Sequence, residues 1–299
     1  LRHPNIVDTY ELGEFEGEMF IAMEYIQGLP LSTLLFREKG LPPAAALDVL
    51  LQVAAAMDHA HSLRIDGEAT PLVHRDLKPA NILIDRTGLA KITDFGVSLL
   101  RERNQERDAA VSGTLRYMSP EQITGGLVGP QSDLFAFGIV AYEVLAGLRL
   151  FPKGEPEDIA RSIIRAADLA QKSRRLQRVE ESLPGIVDLI AHCLQLEASN
   201  RIGSARHIFE RLRSMRSNAP GDALLQVLAR HLSSVHLLHI PGLPLPASEV
   251  SASEPSDSPS SESSSRNNLP EDLPVLHGRE DLLREVERQV GLIIHAEAE

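Results

Sequence analysis

The stretch VHRDLKPANILID, residues 73–85, sets a carboxylate (Asp76), a cation (Lys78) and an amide (Asn81) on a short polar loop. The loop runs straight into an apolar, β-branched run whose composition favours a strand. Such a loop suits phosphoryl transfer. A carboxylate can orient a hydroxyl and take its proton, a cation can offset charge on the moving group, and hard oxygens suit a divalent metal. The chemistry also needs residues that grip a nucleotide, and the loop does not hold them.

Working outward, the strand-forming NILID turns through RTG into a second short strand, LAKITD, which ends on Asp94. Upstream, AAALDVLLQVAAAMDHAHSL carries apolar residues at helical spacing after Pro42 and Pro43. Between that helix and the loop, RIDGEATPL has loop chemistry and is expected to form a surface hairpin without a catalytic role. The N-terminal NIVDTYELG and EMFIAMEYI read as a β-hairpin with its turn around Gly13 and Gly17. Helix is expected from Leu31 into the loop region, and again after Pro120 to about Ser217. The fold class that follows is α+β.

Composition narrows the function. Hydrophobic residues at 43% and charged residues at 24% are ordinary for a globular chain, and 299 residues can bury a sizeable core. The net charge of −12 argues against a general nucleic-acid binder. A single cysteine, Cys193, excludes an internal disulfide, fits a reducing, cytoplasmic setting, and sits in an apolar helical run that suits packing. No signal-peptide pattern opens the chain. The most apolar long run, LFAFGIVAYEVLAGLRLF at residues 134–151, is broken by Glu143 and Arg149. It falls short of the ~20 clean residues of a membrane span and reads as a helix buried on all sides.

Residues 218–244 are expected to add a helical extension. Residues 245–274 are rich in Ser, Pro and acid and nearly free of apolar side chains, the composition of a disordered linker. Residues 275–299 turn helix-like again and read as the start of a further domain, whose GRE pattern at 278–280 resembles the opening of ATPase modules.

HRDLKPAN at 74–81, DFG at 94–96 and SPE at 119–121 together resemble the protein-kinase signature set in content, order and spacing. The resemblance spans roughly residues 1–215 and is nearest to eukaryotic-like bacterial Ser/Thr kinases. It implies a kinase-like domain over 1–217, with 1–26 a remnant of the small lobe and 27–217 the large lobe. The implied activity is ATP-dependent phosphorylation of Ser/Thr hydroxyls in protein substrates, with Mg2+. By the resemblance Asp76 is the catalytic base, Lys78 the transition-state cation, and Asn81 and Asp94 the metal ligands. Lys78 and Thr114 mark Ser/Thr rather than Tyr specificity. His74 and Phe95, the latter followed by Gly96, match an internal spine. Asp133 matches the aspartate that holds the catalytic loop, and Glu121 with Arg201 match an ion pair anchoring the activation segment. Arg75 implies activation by phosphorylation, for which Ser112 is the expected site ahead of Thr114.

On the nucleotide side the resemblance makes Met23 the guard of the adenine pocket and Leu83 its floor, with the backbones of Glu24 and Ile26 meeting the adenine edge. The family's glycine-rich loop, strand lysine and helix glutamate have no counterpart, and the 299 residues contain no G-x-G-x-x-G. HPNIV at 3–7 follows those elements in kinases, so truncation is expected, with weak ATP binding and little transfer by these 299 residues alone. Two other readings stand beside the enzyme: a kinase-fold scaffold without catalysis, and a small-molecule phosphotransferase. A full DFG-to-SPE segment speaks against the second.

Overall fold

The apolar run forms the centre of the structure. In the computed structural model it lies largely within a helix, Pro130–Ala146, in which residues from Ser132 to Ala146 are buried. The structure describes residues 1–15, 18–95, 115–151, 154 and 156–232. The expectations for residues 245–274 and 275–299 lie outside them. Among the described residues no helix is long and apolar enough to cross a membrane.

In chain order the strands are β1 (Thr9–Phe15), β2 (Glu18–Met23), β3 (Gly28–Pro30), β4 (Arg64–Ile65), β5 (Glu68–Ala69), β6 (Ile82–Asp85) and β7 (Ala90–Ile92). Two helices precede the loop, α1 (Leu31–Glu38) and α2 (Pro43–His61). After it come α3 (Pro120–Thr124), α4 (Pro130–Ala146), α5 (Pro156–Ile163), α6 (Ala166–Gln171) and α7 (Arg174–Glu180). Then follow α8 (Ile186–Cys193), α9 (Ala205–Arg216) and α10 (Leu224–Leu232).

Helix α2 begins with Pro43 at its first position, where a missing N–H does no harm, and buries a broad Ala/Leu/Val face. It packs against α4, α9 and α10. Gly138 of α4 lets α8 approach closely: a Cβ there would lie 2.8 Å from that of Cys193. Cys193 is buried, and burial pushes its thiol up to about 12, so it packs rather than reacts.

The sheet elements are small. β1 and β2 form an antiparallel hairpin in which Gly13 pairs with Phe20 and lies inside the strand, not in the turn expected from sequence. β3, β6 and β7 form a three-stranded antiparallel sheet; the Gly-Leu-Pro triplet of β3 carries no strand signal of its own. In β6, Ile82 and Ile84 face the core, while Leu83 falls on the other face and is half-buried. The insertion before the loop is an exposed β4–β5 hairpin.

The loop that leads into β1 is tied to β7. Ile92 N–H donates to the Asn5 carbonyl and Val7 N–H donates to that of Ile92, both at 2.9 Å. The Asn5 side chain donates to Gln52 Oε1 and to the Ala90 carbonyl.

Candidate active site

The polar loop is held from below by one carboxylate. Asp133, 1% exposed in the first turn of α4, accepts the backbone N–H of His74 at 2.8 Å and of Arg75 at 2.9 Å. His61 from the end of α2 meets the same carboxylate at 2.8 Å. Arg75 adopts a left-handed φ of 70°, unusual for a side chain of its size. Its carbonyl accepts from Gln122 Nε2 at 2.7 Å, so contacts on both sides of the residue hold the strained backbone. Replacing Asp133 by Ala strips two buried N–H groups of their acceptor and is expected to lower stability by roughly 2–6 kcal/mol. Urea denaturation is the check; a loss near zero would mean that the loop holds its own shape.

The same fastening carries the residues expected to be reactive, Asp76, Lys78 and Asn81. Asn81, 7% exposed on the turn Pro79–Asn81, donates through Nδ2 to the Asp76 carbonyl at 2.9 Å and to Asp76 Oδ2 at 3.2 Å. Lys78 Nζ lies 2.9 Å from the same Oδ2. The other carboxylate oxygen, Asp76 Oδ1, is buried and has no hydrogen-bond partner among the described residues.

Thr93 stitches this loop to the end of β7. Its N–H donates to the Asn81 carbonyl at 3.0 Å, and its carbonyl accepts from His74 Nε2 at 2.8 Å. Asp76 N–H donates to His74 Nδ1 at 3.2 Å, so the two ring contacts agree on the Nε2–H tautomer. Asp94 follows directly with a left-handed φ of 64°, a conformation aspartate tolerates better than most residues. Its carboxylate is thus one residue from a backbone hydrogen bond to Asn81. Phe95 meets His74 edge-on, ring centroids 4.6 Å apart.

Of the residues expected to meet the nucleotide, Met23 touches this region directly. Met23 ends β2, and its sulfur lies 3.5 Å from Thr93 Oγ1. Glu24 N–H donates to the Asp8 carbonyl at 2.9 Å, which leaves the carbonyl of Glu24, not its N–H, for a ligand edge. The Glu24 side chain accepts from Asp8 N–H and pairs with Lys91. Burial pushes its carboxyl up, but these bonds outweigh that and hold it below the usual range. Among the described residues nothing engages the N–H of Ile26. Leu83 pairs in register with Pro30 and Lys91.

Behind the loop, Arg201 grips Glu121 through two bonds of 2.7 and 2.8 Å. The Arg201 side chain is fully buried, donates to the carbonyls of Gln131, Gln195 and Leu196, and stacks on Phe135. Burial raises the Glu121 carboxyl, but hydrogen bonds from Arg201 and Ser132 outweigh it and hold it at about 2.

Gly96, Ser112 and Thr114 lie outside the described residues. Sequence reasoning missed Thr93, Gln122 and His61, which act only through contacts made by the fold, and Tyr117, whose hydroxyl donates to Glu143 at 2.8 Å.

A family model described as protein kinase domain matches residues 1–212. The serine/threonine-protein kinase PrkC of Bacillus subtilis is 43% identical over 148 residues, covering 49% of this chain and 22% of that protein. PknB of Mycobacterium leprae is 31% identical over 229 residues, covering 75% of this chain and 35% of that protein. The chain therefore matches about a third or less of these relatives' length. The crystal structure of a point mutant of the Mycobacterium tuberculosis PknI kinase domain superposes with a TM-score of 0.53 at 24% identity. The superposition covers 74% of this chain and 73% of that one, and the two share the fold. On the family match and these relatives, the chain belongs to the protein kinase family, in its bacterial Ser/Thr branch.

Proposed function

We propose that this chain carries the catalytic centre of an ATP-dependent kinase that phosphorylates Ser or Thr hydroxyls of proteins. One observation carries the reading: among the described residues Asp76 keeps a buried oxygen without a partner beside a lysine, while Asn81 and Asp94 bring two hard-oxygen donors to the same loop. A buried carboxylate oxygen left bare is costly unless a ligand donates to it, and an acceptor hydroxyl is such a donor.

In this reading Asp76 Oδ1 takes the hydrogen bond of the acceptor hydroxyl, orients it and receives its proton. Lys78, held by Asp76 Oδ2, stands ready to offset charge on the transferred group. Asn81 commits its amide N–H to Asp76, which leaves its oxygen as donor, and Asp94 supplies a carboxylate; together they fit Mg2+, which favours few protein oxygens and retained waters. When bound, Mg2+ with ATP supplies the phosphoryl group and neutralises its oxygens. Met23, the Glu24 carbonyl, the Ile26 N–H and Leu83 form the adenine side. Asp133 and Gln122 position the loop. Thr114 assists Asp76 and Lys78 at the acceptor.

The test is transfer of labelled phosphate from ATP by the complete gene product to protein substrates, followed by phosphoamino-acid analysis. Phosphoserine or phosphothreonine is expected, with far weaker transfer by the 299-residue chain, which has no glycine-rich loop. The scaffold reading would be favoured by a complete product that lacks that loop and its strand lysine as well. Absence of any transfer by the complete product would establish it, and transfer to small molecules alone would point to a phosphotransferase.

A further inference from the structure

The family model ends at residue 212, and the fold continues past it with one further helix, α10. Leu224, Val227 and Leu228 are buried, and the helix packs on α2. Its entry is fastened at several points. The Pro220 carbonyl accepts from Ala44 N–H at 3.1 Å. Gly221, with a left-handed φ of 94°, lies so close to the start of α2 that a Cβ there would be 2.9 Å from that of Pro42. Leu224 N–H donates to Asp48 Oδ2 at 3.1 Å, and Arg216 of α9 binds both oxygens of the same carboxylate. At the far end His231 and Arg230 meet Glu38 of α1.

One turn along α2 from Asp48 stands Gln52, whose amide is fully engaged. Its Nε2 donates to the carbonyls of Asp48 and Gly88, both at 3.0 Å. Its Oε1 accepts from Ala90 N–H and from Asn5 Nδ2, both at 2.9 Å. Gly88 lies in the β6–β7 turn, with a left-handed φ of 82°. Its carbonyl rests on Gln52, while α10 covers its Cα: a Cβ there would lie 3.1 Å from Leu225 Cδ2 and 3.8 Å from Leu224 Cδ2. Asp85 satisfies the turn internally by accepting the N–H groups of Thr87 and Leu89. Those bonds fix the shape of the turn; Gln52 and α10 fix its seat.

The residues assigned to the metal stand at the open end of this hairpin. β6 starts directly after Asn81, β7 ends two residues before Asp94, and Ile82 pairs with Ile92. The ladder fixes each strand against the other, so a tilt at the turn reappears at the open end.

We propose that α10 is a positioning element for the metal site: by seating the β6–β7 turn it sets where Asn81 and Asp94 stand. Leu224 and Leu225 act through Gly88, not on the nucleotide. The proposal rests on the kinase reading given above. It extends the catalytic unit past the family match, to Leu232.

The experiment uses the complete gene product. Leu224→Ala with Val227→Ala loosens α10 without adding charge, and Leu225→Ala uncovers Gly88 alone. Leu189→Ala is the control, a cavity at a buried position of α8, which packs on α4, α6 and α7. Binding of Mn2+ with ATP is read by electron paramagnetic resonance, backbone hydrogen exchange over residues 82–92 by mass spectrometry, and stability by thermal melting. The double variant is expected to weaken Mn2+ binding by about tenfold, the lower end of what groups that orient metal ligands contribute. It should also speed exchange over the hairpin, where Ala90 and Ile92 donate to Gln52 and Asn5. Leu225→Ala should move both readouts the same way by less, and Leu189→Ala should move neither at a comparable loss of melting temperature. Should the double variant not fold, Leu225→Ala, at a 56% exposed position, decides.

Manganese affinity and hairpin exchange that merely follow melting temperature in every variant, the control included, overturn the proposal, for α10 would then add stability alone. Weakened Mn2+ binding in the α10 variants, with no phosphate transfer by the unaltered product, would support the positioning role and overturn the kinase reading instead. An unaltered product that binds no Mn2+ with ATP also overturns that reading, and hydrogen exchange alone then decides whether α10 seats the hairpin.

Discussion

Replacing Asp76 by Asn in the complete gene product is expected to lower kcat by about 10²–10⁴-fold, the usual contribution of a positioned general base. Each tenfold step is about 1.4 kcal/mol of transition-state stabilisation. The substitution is nearly isosteric, so the link to Asn81 can persist while the proton acceptor is lost. KM for ATP should change little, because the residues assigned to the nucleotide are untouched. A fall in kcat with steady KM marks an interaction made in the transition state. Steady-state kinetics with a matched melting curve checks this. Retention of most activity by Asp76→Asn would remove Asp76 from the chemistry.

The second large effect concerns stability. Arg201→Ala is expected to cost about 3–5 kcal/mol, because it leaves the carboxylate of Glu121 without its partner in a mostly buried setting. It also strands the carbonyls of Gln131, Gln195 and Leu196. The effect depends on pH in a defined direction. The folded carboxyl is held at about 2, below its ordinary value of 4.5. The contribution is thus fully present above the unfolded value and is lost as pH falls through the folded one. The gap between wild type and Arg201→Ala should therefore be widest at neutral pH and narrow between pH 4.5 and about 2. Urea midpoints at about pH 7 and about pH 3.5, on either side of the unfolded value, measure it. A gap that stays constant would mean that Arg201 acts through packing on Phe135 and not through the ion pair.

Much of the frame was legible in the sequence because its signals are local. The helical spacing of α2, the strands on either side of RTG and the long, mostly apolar run of α4 each identify an element without help from the rest of the chain. The short motifs were readable as a set because their order and spacing exceed what any one of them carries. What stayed hidden is tertiary. β3 exists only because β6 offers it an edge, and Gly13 sits inside a strand because Phe20 packs over it. Thr93 matters through His74, Asn81 and Met23, all distant in sequence. The Tyr117–Glu143 pair depends on how the turn Leu115–Tyr117 seats on α4. Charge balance is a property of the folded neighbourhood, and no spacing rule announces it.

The central assignment is that Asp76, Lys78, Asn81 and Asp94 surround one metal-bound triphosphate. Anomalous diffraction from crystals of the complete gene product grown with Mn2+ and a non-hydrolysable ATP analogue tests it most directly. A manganese peak is expected between the Asn81 amide oxygen and the Asp94 carboxylate, with Asp76 Oδ1 facing the terminal phosphate across it. Nucleotide bound with its metal away from both residues would contradict it.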